Sequence, residues 1–326
     1  MIYKGWYTGE EVIRIINQKA DELATELYLQ AKGLYNLPPE IKNLVHLKKL
    51  KLGSKDAPSK FRNELKSLPS EIKRLQNLTL LDLNSNNFSE LPQDVLYLAN
   101  LTHLDLGYNK ISHLPEQIKD LSKLRTLYLN FNHFDEFPCF LKHLSKLEKL
   151  DLSGNNFTSI PPDLKYLQNL RYLNLSSNGL TKFTKEILSL KNLTHLDISS
   201  NHIRTIPKEL QDLKNLEHIL LDNNPLAFPP IEIVSQGLFA IKKYLRLSHD
   251  EGQKIFEGKL LIVGQGGVGK TSLMQRLISN SFSNDEVSTE GIDIKQWEVE
   301  NPDKSGIPML LNTWDFGGQE IYHSTH

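Results

Sequence analysis

A chain of 326 residues is long for one compact core, so two units or an extended array are expected. With 39% hydrophobic residues, 24% charged residues and a formal net charge of -1, the composition is ordinary and supplies no field for nucleic acid or an acidic membrane. The one cysteine, Cys139, excludes an intramolecular disulfide and points to the cytoplasm, and no stretch reads as a signal peptide or a membrane span.

Thr8-Gly9-Glu10-Glu11 has the form of a capping box, so a helix is predicted to begin there. Val12, Ile13, Ile16, Ala20, Leu23 and Leu27 follow at helical spacing, and this face can cap what comes next; residues 1–23 are assigned to the cap. A degenerate repeat starts near Ala24, with Lys32 where later copies carry asparagine. From Leu78 the pattern Leu-x-x-Leu-x-Leu-x-x-Asn returns every 23 residues, opening at Leu78, Leu101, Leu124, Leu147, Leu170, Leu193 and Leu216. A fixed period of this length marks leucine-rich repeats stacked into a solenoid, here spanning 24–230.

Within a repeat the first six residues alternate as a short strand, and copies pair in parallel to give a concave sheet. Asn86, Asn109, Asn132, Asn155, Asn178, Asn201 and Asn224 are expected to turn inward onto backbone groups. Apolar plugs (Phe88, Ile111, Phe134, Phe157, Leu180 and Ile203) and prolines follow, with Thr184 breaking the proline set. Leu47 to Leu78 spans 31 residues instead of 23, which places an insert within 53–66. It is either a tolerated loop or a partner contact through Lys55, Lys60, Phe61 and Arg62. After Pro230 the amphipathic segment Ile231–Leu247 is predicted as a second cap, with a polar connector to residue 257.

On the concave face Asp82, Asp105, Asp151 and Asp197 form an outward column that Tyr128 interrupts. With Tyr108, Phe131 and Tyr172 they are the candidate residues for a basic protein partner or for the chain's own G domain; a merely solvated stripe is the alternative. The histidines sit on different repeats without metal-ligand spacing.

Residues 259–263 read as a buried strand that runs into Gly264-Gln265-Gly266-Gly267-Val268-Gly269-Lys270-Thr271, followed by helix-forming Ser272–Ile278. Strand, glycine loop and helix are the context a phosphate-binding loop requires, with Lys270 for the β- and γ-phosphates and Thr271 for Mg2+. A second strand ends at Asp315-Phe316-Gly317-Gly318-Gln319, the Asp-x-x-Gly-Gln form of small GTPases. There Asp315 would hold Mg2+ through water, Gly318 would sense the γ-phosphate, and Gln319 would orient the attacking water. Thr289 is the candidate switch threonine on Mg2+. The fold expected is therefore α/β: a repeat solenoid with helical caps, then the start of a P-loop G domain over 258–326.

Repeats followed by this loop, by Gly291-Ile292-Asp293-Ile294 and by Asp315 to His326 resemble the Roco family, of bacterial type. The resemblance implies a GTP- and Mg2+-dependent Roc GTPase whose repeats dock partners or regulate it, and a homodimer formed through a COR domain not contained in these 326 residues. It also implies that the chain stops inside the Roc domain, ahead of the guanine-reading Asn-Lys-x-Asp element, so that this piece alone would be inactive. A binding scaffold whose nucleotide site is regulatory with little turnover is the competing reading, and an ATPase switch of the NOD-like receptor type a more distant one.

Overall fold

The computed structural model describes residues 7–53, 58, 62–247, 256–262, 268–279, 292–299 and 309–316. They fall into two compact units, Met1–Ser248 and His249–His326.

The first unit opens with helix α1, Gly9–Asp21. Its capping box is complete: Thr8 Oγ1 accepts from the Glu11 amide at 3.2 Å and the Glu11 carboxylate accepts from the Thr8 amide at 2.7 Å. Two amides that no helical acceptor can reach are satisfied in this way, and hydrogen bonds from the Thr8 amide and hydroxyl pull the Glu11 carboxyl below its usual range. Val12 and Ile16 are buried under the helix. Leu23, read from spacing as part of that face, lies past the helix end at positive φ and is 64% exposed.

Nine three-residue strands then pair in parallel and in chain order. They are β1 (Glu26–Tyr28), β2 (Lys49–Lys51), β3 (Leu80–Asp82), β4 (His103–Asp105), β5 (Thr126–Tyr128), β6 (Lys149–Asp151), β7 (Tyr172–Asn174), β8 (His195–Asp197) and β9 (His218–Leu220). The 23-residue period sets the register: Leu81 faces Leu104, Leu104 faces Leu127, and so on to Leu196 opposite Ile219. The insert leaves the register intact, since Leu50 pairs directly with Leu81. Leucines at the first, fourth and sixth positions of each repeat form one continuous core with the plugs Phe88, Phe134 and Phe157. Each of these side chains is worth roughly 1.5–3 kcal/mol, so the unit is held by many similar increments.

The asparagines form a second ladder inside the first. Asn132 donates to the carbonyls of Leu106 (2.9 Å) and Leu129 (3.1 Å) and accepts from the Ile111 amide at 2.9 Å. The same three bonds recur 23 residues on at Asn155, which donates to Leu129 O and Leu152 O and accepts from the Phe134 amide. Each strand-end carbonyl is thus shared by the asparagines of two neighbouring repeats. The insert hides one member of this ladder: Asn63 donates to Leu29 O and Leu52 O and accepts from the Leu34 amide. The extra residues therefore fall between Leu52 and Asn63 in the sequence. Of the side chains proposed as contacts of the insert, Arg62 is described, while Lys55, Lys60 and Phe61 lie outside the described residues.

Short 3-10 turns such as Gln93–Tyr97 and Glu116–Asp120 pack the convex side behind the prolines. Where Thr184 replaces proline the turn shortens to Ile187–Ser189, and Thr184 Oγ1 is buried without a hydrogen-bond partner. The C-terminal cap is two helices, not the single segment expected: α2 (Ile231–Val234) and α3 (Leu238–Leu247). Gly237, at φ +86, supplies the left-handed residue that separates them. Ile241 and Leu245 of α3 are buried, and Lys242 Nζ donates to Leu213 O at 2.7 Å, fixing the cap to the last repeat.

In the second unit β10 (Phe256–Ile262) pairs in parallel with β12 (Met309–Phe316), which pairs antiparallel with β11 (Ile292–Val299). Helix α4 covers Lys270–Ser279 and buries Met274. Thr313, fully buried on β12, donates to Lys295 O of β11 at 2.7 Å. Among the described residues no helix is long and apolar enough to cross a membrane.

Candidate functional site

Parallel pairing in the second unit decides where a ligand can sit. Ile262, at the end of β10, faces Asp315 near the end of β12. Both strands run the same way, so the glycine loop and the Asp-x-x-Gly segment leave from one edge, at the carboxyl ends of adjacent strands. Open α/β sheets bind their ligands at that edge. On the antiparallel side Asp293 faces Asp315 and Ile292 faces Phe316, which brings the start of β11 to the same edge.

Gly269 has φ +82 with open space around it, so glycine is required for the left-handed backbone and not for room. Its carbonyl accepts from the Leu273 amide at 2.9 Å and so begins the hydrogen bonding of α4. Lys270 opens the helix and is only 9% exposed, Thr271 and Ser272 follow half-buried, and Val268 is exposed. The positive end of the helix dipole and two hydroxyl side chains are thereby set beside a buried lysine. Gly264, Gln265, Gly266, Gly267, Thr289, Gly318 and Gln319 lie outside the described residues, so the geometry covers Val268 to Ser272 and the backbone of Asp315.

On the concave face of the first unit Asp82, Asp105, Tyr128, Asp151 and Tyr172 line one cavity of about 520 Å³. Gln30, Lys51, Gly53, Asn84, Asn130 and Lys149 complete its lining. Asp197, three strands past Tyr128, lies outside it. Each aspartate has a local duty that periodicity alone does not reveal. Oδ1 of Asp82, Asp105, Asp151 and Asp197 accepts from the amide two residues on, of Asn84, Gly107, Ser153 and Ser199, at 2.8–3.0 Å. Asn174 does the same for Ser176. These bonds close the turn at the strand end, which is why Asp or Asn recurs there.

The surroundings perturb these acids. Burial, and then the neighbouring Asp105, push the Asp82 carboxyl up to about 7. Burial also raises Asp151 against the hydrogen bonds from Ser153, and it raises Tyr128 and Tyr172 with help from the adjacent carboxylates. Among the described residues no group of histidine, cysteine, aspartate and glutamate could hold a metal ion.

Tyr108 and Phe131 do not line the cavity but pair with each other. Their rings stack with centroids 4.4 Å apart, and both are exposed. Spacing missed two partners in this region. Gly107 leaves the gap where the Asn130 and Asn84 side chains meet, since a Cβ there would lie 2.5 Å from Asn130 Oδ1 and 2.8 Å from Asn84 Nδ2. Gly154 makes room for Phe131, whose Cδ1 would lie 2.6 Å from an added Cβ. A glycine one period after an aromatic at the same repeat position is the signal that could have found it.

Comparison with known proteins bears on both units. The family model described as "Ras of Complex, Roc, domain of DAPkinase" matches residues 259–326. Leucine-rich-repeat models match 27–158, 145–188 and 168–226. The chain is 38% identical over 118 residues to a probable serine/threonine-protein kinase, pats1, of Dictyostelium discoideum, covering 31% of this chain and 4% of that protein. It is 34% identical over 100 residues to a Roc-COR-CHAT protease from an unknown prokaryotic organism, covering 28% of this chain and 9% of that one. The chain therefore spans under a tenth of the length of either relative. Among solved structures, a leucine-rich-repeat protein of Leptospira interrogans superposes with a TM-score of 0.61 at 36% identity, over 70% of this chain and 55% of that chain. Leucine-rich repeats followed by a match to a Roc domain give this chain the domain order of the Roco proteins that it resembles.

Proposed function

We propose that the protein is a GTP-binding and GTP-hydrolysing switch whose repeats form an interaction arm. The observation that carries the reading is the pairing of Ile262 with Asp315, which starts the phosphate loop and the Asp-x-x-Gly segment from one sheet edge. In this reading the backbone of Gly264, Gln265, Gly266, Gly267, Val268 and Gly269 surrounds the β-phosphate, with amides rather than side chains as donors. Lys270, held by burial at the helix start, meets the β- and γ-phosphates, and Ser272 lies in the first turn below them. Hard oxygen donors suit Mg2+, and the hydroxyls of Thr271 and Thr289 with the carboxylate of Asp315 are the residues that would hold it. Bound there, the ion would neutralise charge on the phosphates. The Gly318 amide contacts the γ-phosphate and Gln319 orients the attacking water.

The repeats serve this switch as an arm that takes a protein partner, or the chain's own G domain, on the concave face. Asp82, Asp105, Asp151 and Asp197 with Tyr108, Tyr128, Phe131 and Tyr172 are the contact set. The full-length protein works in the cytoplasm and pairs with a second copy through a COR domain. Competition binding on the full-length protein tests the nucleotide: unlabelled GTP should displace a fluorescent GTP analogue, and ATP should need at least a hundredfold higher concentration. Equal displacement by ATP would overturn the guanine assignment.

A further inference from the structure

In the seven regular repeats that open at Leu78 to Leu216, one turn position adopts the left-handed conformation: Ser85, Tyr108, Phe131, Gly154, Ser177, Ser200 and Asn223, all with φ between 53 and 63 except Phe131 at 52. Glycine, asparagine and small polar residues tolerate that region, and bulky side chains rarely occupy it. Serine at three of these positions makes the same turn, so the fold itself does not call for Tyr108 or Phe131. Yet both rings are kept, stacked at 4.4 Å and exposed by 37% and 44%, and Gly154 leaves the space in which Phe131 lies. Backbone strain retained for the sake of exposed aromatic rings marks a surface kept for contact.

The shelf adjoins the cavity, because Asn130 lines the cavity and Phe131 is the next residue. From Lys51 on β2 to Tyr172 on β7 the lining crosses six neighbouring strands. At about 4.8 Å per strand that is about 24 Å, the length of about seven extended residues. The shape fits a peptide strand better than a compact small molecule. The charges indicate what the segment carries. Asp82 and Asp105 are register partners on adjacent strands, Tyr128 follows on the next, and Lys51 and Lys149 stand to either side. A planar guanidinium can bridge two carboxylates and lie on an aromatic ring, which an ammonium cannot match.

We propose that the concave trough from β2 to β7 is a docking site for an extended protein segment bearing an arginine, with the Tyr108–Phe131 stack as its aromatic shelf. The proposal rests on the reading of the repeats as an interaction arm and is independent of the nucleotide site.

A random heptapeptide library displayed on phage, selected against the whole chain, provides the test. Enriched sequences should share an arginine. A synthetic copy of the leading peptide should bind at least tenfold more weakly to Tyr108→Ser/Phe131→Ser and to Asp105→Asn, and exchanging its arginine for lysine should cost as much. Serine already holds this turn at 85, 177 and 200, so the double variant keeps the fold, and a thermal melt matching the parent verifies this. If the peptide binds the double-serine and Asp105→Asn proteins as well as the parent, the arm reading stands and this docking site is wrong. If no peptide is enriched on the parent protein, both fail.

Discussion

Replacing Asn132 by alanine tests the idea that the inner ladder, and not the leucine core alone, sets the stability of the repeats. The structure permits the loss to be worked out group by group. The carbonyls of Leu106 and Leu129 each keep a second donor, from Asn109 at 3.0 Å and Asn155 at 3.0 Å. The buried Ile111 amide loses its partner outright. One stranded N–H costs about 1–3 kcal/mol and two lost secondary bonds add about 0.5–1 kcal/mol each, for about 2–5 kcal/mol in all. Asn224 makes equivalent bonds to Ile198 O, Leu221 O and the Ile203 amide, but it is half-buried at the end of the ladder, where water can substitute. Alanine there should cost about 1–2 kcal/mol. Urea unfolding followed by circular dichroism, fitted with a nearest-neighbour scheme suited to repeat arrays, measures both. Equal losses at 132 and 224, or a loss below about 1 kcal/mol at 132, would refute the reasoning.

Two further substitutions probe groups that the fold tolerates at a cost. The folded state holds the Asp82 proton more tightly than the unfolded chain, with a pKa of about 7 against 3.8. Stability at this site is therefore full at about pH 4 and is lost as pH rises to about 7. Asp82→Asn keeps an acceptor for the Asn84 amide but cannot ionise, so it should gain on the parent protein above neutrality, by on the order of 2–4 kcal/mol at most, and match it near pH 4. Parallel denaturation profiles of the two proteins from pH 4 to 8 would show the carboxyl to be ordinary. Thr184→Val removes a buried hydroxyl that has no partner and should raise stability by about 1 kcal/mol; a loss of that size would mean that the hydroxyl is satisfied.

Much of the first unit is legible in the sequence because a period of 23 dictates everything that repeats: strand register, core leucines, plugs and asparagines all follow from counting. What counting missed is local. The left-handed turn at Tyr108 and Phe131 depends on backbone torsion, which residue type there argues against. Asn63 was hidden by the insert, although counting 23 back from Asn86 recovers it. Pattern alone gave the aspartate column an outward, partner-facing role, whereas each carboxylate also closes its own turn. The division of the C-terminal cap at Gly237 arises from one glycine inside an otherwise continuous apolar pattern. In the second unit the motifs identify their own chemistry, since strand, glycine loop and helix must follow in that order for amides to face a phosphate. Only pairing shows that Asp315 comes beside Ile262, and pairing between distant strands is not written in local spacing.

The most direct test of the account is phosphate release by the full-length protein with GTP and Mg2+, measured beside Lys270→Ala. Removing the one side-chain cation at the phosphate loop should lower turnover by on the order of a hundredfold or more, with the thermal stability of the repeats unchanged. Equal turnover in the two proteins would contradict the switch, and tight GTP binding without measurable release would leave the repeats as a scaffold whose nucleotide site regulates but does not hydrolyse.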